Sequence, residues 1–160
     1  MLDRACSLPW IPLYPENLVL RIIAGPHDQF FRQVQEGFFT STFRVTNQSN
    51  RMGCRLSGPP VVLDPEAPAS IVSEPVVPGN IQIPADGQPI ILLNEQTVGG
   101  YTCIATVVTA DLWRIAQVKP GDTVNFTPVS LEEGQCIYRE WMEFLADTEH
   151  LLAGEPLLSL

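Results

Sequence analysis

The chain has 160 residues with 9 Lys+Arg, 18 Asp+Glu and a formal net charge of −9. That length fits one ordinary domain, and a 45% apolar fraction can fill a core, which argues against bulk disorder. The acidic balance argues against nucleic-acid binding through bulk charge, and apolar runs broken by Pro, Gly, Asn and Gln argue against a membrane span.

In chain order, residues 1–17 carry Pro9, Pro12 and Pro15 and read as an extended lead-in. A β-branched run predicts a strand over 18–24. A helix is expected over about 27–37, with Phe30, Phe31 and Val34 on one face. Further strands are expected over 42–46, 71–73, 81–83, 90–93 and 103–109. Pro59-Pro60 and Pro65 to Pro68 mark a loop that cannot pair centrally. A second helix is expected over about 111–118, capped by Asp111 and stopped by Pro120-Gly121. A strand over 123–127 follows, then a helix over about 131–152 in which Ile137, Trp141 and Leu145 recur every four residues. Many short strands with few helices point to a mainly β fold, a closed or nearly closed barrel with peripheral helices. The expected organisation is the lead-in over 1–17, the barrel over 18–131 and an acidic C-terminal helix and tail over 132–160. That last segment holds seven carboxylates against Arg139 alone, and its simplest reading is a solvated helix face.

Two stretches are richer in special residues than a barrel needs. The first, 44–53, sets Arg44 and Arg51 among five uncharged hydrogen-bonding side chains around a turn. A guanidinium fork matches carboxylate or phosphate, although Asn and Ser in such a turn also bond their own backbone. The second runs through Gln82, the Asp86-Gly87 turn signal, Gln96, Thr97, Gly99, Gly100 and Tyr101. A Gly-Gly pair admits a ligand close to backbone N–H groups, and it also suits a barrel corner. Cys6, Cys54, Cys103 and Cys136 form no CxxC pair, and no metal site is expected from them. They read as reduced, mostly buried thiols. His27 and His150 read as capping or surface residues. Lys119 is the single lysine, and no GxxxxGK[ST], GxGxxG or GxSxG motif occurs. No catalytic residue is assigned. The absence of a basic n-region and apolar h-region after Met1 leads us to expect a cytoplasmic protein.

Residues 41–45 and 48–59, then 73–90 with 96–101, then 111–126, resemble signatures of the allophanate hydrolase subunit 2 family. This family is also called KipA-type, the C-type subunit of 5-oxoprolinase, or biotin-dependent carboxyltransferase family protein. It is similar to part of the carboxyltransferase region of urea carboxylase. Family members are usually longer, and this chain resembles their C-terminal half. It departs from the family pattern at Asn50, Cys54, Glu95, Val98 and Thr102-Cys103. The resemblance implies a cyclophilin-like β-barrel and a B-type or KipI-type partner, possibly with an A-type subunit as well. It implies ATP-dependent action of the assembled complex on a small amide or lactam such as 5-oxoproline, with no biotin on this chain. At positions matching the family's motifs, Arg51 and Gln82 are expected to hold a substrate carboxylate or carbonyl. Gly99 and Gly100 would offer backbone donors to a developing anion, and Gln96, Thr97 and Tyr101 would shape the pocket. The alternative is a non-catalytic KipA-like module that binds and antagonises a KipI-type kinase inhibitor.

Overall fold

The computed structural model describes residues 16–33, 35–68, 71–94 and 98–153, the last four by their backbone alone. Strands β1 (Asn17–Ala24), β2 (Phe43–Val45), β3 (Gly53–Ser57), β5 (Asn80–Ile83), β6 (Ile90–Leu92), β8 (Thr102–Val107) and β9 (Thr123–Pro128) make a closed barrel. Its order is β1-β8-β5-β6-β3-β2-β9, and β9 returns to β1 in parallel register from Asn17↔Thr123 to Ile22↔Pro128. The other barrel pairs are antiparallel. Strands β4 (Glu74–Pro75) and β7 (Val98–Gly99) form a separate two-stranded ribbon. The helices are α1 (Gln35–Thr40), α2 (Leu112–Ile115) and α3 (Leu131–Ala153). The fold is mainly β, as the composition of short β-branched runs predicts.

Alternation builds the core. Leu18, Leu20 and Ile22 are buried along β1, while Val19 between them is exposed. Val124 and Phe126 from β9 join them. One end is filled by Phe38, Phe43 and Phe126, with ring centroids 4.8 to 5.8 Å apart. Each such aromatic pair adds about 0.5–1.5 kcal/mol beyond its buried area.

Three local expectations change. The helix over 27–37 divides into a 3-10 turn at Asp28–Phe31 and the later α1. The loop that follows β3 explains the break: Asp64 N–H donates to the Phe30 carbonyl, and Gln33 N–H donates to the Asp64 carboxylate. A continuous helix needs both groups for its own ladder. Val34 lies outside the described residues. The strand over 71–73 does not form, because pairing begins only where Glu74 meets Gly99; Val72 is 87% exposed. Asp111 adjoins α2 but makes no side-chain cap, because its carboxylate is occupied elsewhere. The C-terminal helix forms over Leu131–Ala153. It starts at a reciprocal cap in which Glu133 N–H donates to Ser130 Oγ and Ser130 N–H to the Glu133 carboxylate. Among the described residues, no helix is long and apolar enough to cross a membrane. The lead-in over 1–15 lies outside them, while Asn17 already belongs to β1.

Candidate functional site

The β2–β3 turn holds itself together with its own polar groups. Asn50 and Gly53 exchange backbone hydrogen bonds, and Asn50 Oδ1 accepts Met52 N–H at 2.8 Å. Ser49 Oγ accepts Arg55 N–H at 3.0 Å and donates to the Arg55 carbonyl at 3.2 Å. The Asn and Ser of this motif therefore serve the backbone, and the turn presents Arg51 on its exposed tip. Beside it opens a cleft of about 660 Å³. Arg51, Asn50 and Asn94 supply polar groups; Leu112, Trp113 and Pro78 supply an apolar wall.

That wall stands because α2 is pinned. Asp111 is buried and accepts three bonds from Arg21: backbone N–H at 2.9 Å, Nε at 3.0 Å and Nη2 at 2.6 Å. Arg114 Nη1 approaches the same carboxylate at 3.5 Å and donates to the Val19 carbonyl at 2.8 Å. Burial works to raise the Asp111 carboxyl, but the bonds and charge of Arg21 outweigh it and hold it below its ordinary value of 3.8. The Asp111 bond in turn raises the Arg21 guanidinium. Four residues of helix would not hold their orientation without such a tether. The residue type at Asp111 is visible in the sequence, but its partner lies 90 positions away.

Gln82, Gly99 and Tyr101 are brought together in a different place. Gln82 is 2% exposed, and its Nε2 donates to the Tyr101 carbonyl at 3.4 Å. The ribbon β4–β7 lies against it. A Cβ at Gly99 would fall on the Gln82 amide nitrogen and 2.9 Å from Val76 Cγ1. The glycine is required here by close approach. Positive φ occurs at Gly79, Gly87 and Gly121, and not at Gly99 or Gly100. At Gly100 the nearest atom to an added Cβ is Ser73 Oγ, at 3.4 Å. Tyr101 is 51% exposed. Gln82, Gly99, Gly100 and Tyr101 are not lining residues of the Arg51 cleft. Gln96 and Thr97 lie outside the described residues.

His27 takes the N-cap position of the 3-10 turn, as a capping residue is expected to, but its side chain makes no cap bond and is not on the surface. It is buried, its Nδ1 accepts Cys103 N–H at 3.1 Å, and its ring stacks on Phe30. Its Nε2 lies 3.7 Å from the Glu74 carboxylate on the ribbon. Cys54 and Cys103 are free, buried thiols, and burial pushes each up to about 11. Cys54 reaches the cleft as a protonated thiol at neutral pH, so it offers no nucleophile there. Cys136 is free and exposed, while Cys6 lies outside the described residues. Chemically, the cleft can hold a small ligand that pairs an anionic or carbonyl group with an apolar or planar body.

The model of the family described as carboxyltransferase domain, subdomain A and B, matches residues 4–128, and the chain belongs to that family. It is 40% identical over 116 residues to the C-type subunit of 5-oxoprolinase from Escherichia coli, covering 71% of this chain and 37% of that protein. It is 34% identical over 139 residues to urea amidolyase of Saccharomyces cerevisiae, covering 79% of this chain and 8% of that protein. The crystal structure of the Kluyveromyces lactis urea amidolyase superposes with a TM-score of 0.76 at 27% identity, covering 91% of this chain and 9% of that one. The chain thus spans less than half the length of these relatives.

Proposed function

We propose that this chain is a carboxyltransferase-type subunit, or part of one, that presents a small amide or lactam in the Arg51 cleft. A B-type partner completes the site, and the assembled complex uses ATP; biotin is not carried on this chain. One observation carries the reading: Arg51 lines the same cleft as the apolar side chains of Leu112 and Trp113. That pairing suits a compact ring bearing a carboxylate, and 5-oxoproline has this form. Charge-assisted bonds from the guanidinium would contribute roughly 1.5–3 kcal/mol to holding the carboxylate.

The test is co-expression with A- and B-type 5-oxoprolinase subunits, followed by ATP hydrolysis with and without 5-oxoproline. The chain alone should turn over no ATP, and the complex should be stimulated by 5-oxoproline. Arg51→Ala should weaken 5-oxoproline at least about tenfold while costing no more than about 0.5 kcal/mol of stability, because Arg51 sits on an exposed turn tip. Unchanged stimulation in Arg51→Ala would remove the cleft from the mechanism. A second reading, a non-catalytic module that binds a KipI-type protein, is favoured by the packed state of the Gln82 strip. Gly99 is already pressed against the Gln82 amide and the Tyr101 carbonyl already accepts from it, where a second set of ligand contacts is expected from the sequence. A complex that assembles yet shows no 5-oxoproline-dependent turnover would select that reading.

A further inference from the structure

We propose that Trp141, on α3, is a positioning residue for the Arg51 cleft and acts through Trp113. The proposal rests on the reading of that cleft as the binding site. Trp113 projects from the four-residue α2 and is half-buried. It lines the Arg51 cleft and also the neighbouring depression bounded by Arg21, Arg114 and α3. From α3, the Trp141 ring stacks on it at 5.9 Å between centroids and 7° between planes. Trp141 stacks in turn on Phe144, at 5.4 Å and 24°. Trp113 is thus held between the cleft and an aromatic column supplied by a different element.

The first turn of α3, which leads into that column, is tied to the barrel. It is closed by the Ser130–Glu133 cap. Gly134 lets the helix approach the barrel, since a Cβ there would lie 3.3 Å from Ile23 Cγ2 and 3.7 Å from Val108 Cγ2. The residues matched by the family model end at 128, before α3 begins at Leu131. A segment outside that match therefore sets the position of a cleft-wall residue inside it. An indole on so short a helix has two rotatable side-chain bonds, and a parallel ring partner removes most of that freedom.

The experiment uses the full chain with Trp10→Phe throughout, so that Trp113 is the sole tryptophan once Trp141 is replaced. Trp141→Phe keeps a stacking ring; Trp141→Leu keeps apolar volume without one. Circular dichroism first checks that both variants fold, and Trp141→Met replaces Trp141→Leu if that variant does not. Acrylamide quenching and anisotropy decay then report the mobility of Trp113. Binding of 5-oxoproline to the complex with the A- and B-type subunits is measured in parallel. Trp141→Leu should raise quenching of Trp113 about twofold and weaken 5-oxoproline about two- to tenfold, the range set by one aromatic pair. Trp141→Phe should restore both. Equal Trp113 mobility in the Phe and Leu variants overturns the proposal. So does a mobile Trp113 with undiminished affinity, where Arg51→Ala lowers that affinity. If Arg51→Ala leaves affinity untouched, the cleft reading fails by itself, and the mobility of Trp113 alone then decides whether Trp141 positions it.

Discussion

Two polar, glycine-containing stretches stand out in this chain, and the fold treats them oppositely. The stretch around Arg51 stays open: its Asn and Ser bond the turn's own backbone, and the arginine faces a cleft walled by α2. The stretch around Gln82 and Gly99 is closed, with the amide bonded to the Tyr101 carbonyl and Gly99 pressed against it. A buried amide without a partner costs about 1–3 kcal/mol, so Gln82 donates its Nε2 to the Tyr101 carbonyl beside it. Arg51 is exposed on a turn tip and lines the cleft instead. Similar composition therefore ends beside an open cleft in one place and in a packing joint in the other.

The contrast can be broken or sharpened by experiment. Cys54 gives the largest expected effect. It reaches the open cleft, yet its thiol is pushed up to about 11. Iodoacetamide at pH 7 should modify it on the order of a hundredfold more slowly than an unperturbed thiol, as peptide mapping after timed quenching can show. Rapid modification would mean that the cleft carries a usable nucleophile after all.

Asp111 comes next. Removing its carboxylate leaves Arg21 and the α2 wall without their tether, so Asp111→Ala should cost about 3 kcal/mol, or roughly 6–12 °C in melting temperature for a domain of this size. The cost falls on the open region, so amide exchange should accelerate in α2 before it does in β5. The pH dependence has a definite sign. The folded carboxyl lies below its unfolded value, so its contribution is complete above pH of about 4 and disappears as pH falls through the folded value. Asp111→Asn should flatten that part of the stability curve, which denaturant melts between pH 2 and 6 would reveal.

The glycine pair probes the closed region and carries the smallest effects. Gly99→Ala puts a methyl group onto the Gln82 amide and should cost about 1–3 kcal/mol through overpacking. Gly100→Ala meets only Ser73 Oγ at ordinary contact distance and should stay within about 0.5 kcal/mol. Equal losses at the two positions would show that the turn's backbone matters and the packing against Gln82 does not.

Several features are legible from the residues in order. β-branched runs between turn residues announce short strands, and the spacing of Ile137, Trp141 and Leu145 announces α3. Both are local, because strand and helix periodicity depend on neighbours within one or two turns. The motifs of 41–59 and 73–126 likewise carry the family, since a motif is by nature a local string. Closure of the barrel, through parallel pairing of β1 with β9, joins residues more than a hundred positions apart and leaves no local mark. The helix over 27–37 breaks because Asp64, in a distant loop, takes the groups that the helix needs. Asp111 reads as a cap because nothing near it in the chain reveals Arg21. The sequence by itself determined the short strands of the barrel, the long C-terminal helix and the family. Only the tertiary structure decided that Arg51 opens onto a cleft while Gln82 is sealed, because burial and partner choice depend on groups that pairing brings together from far along the chain.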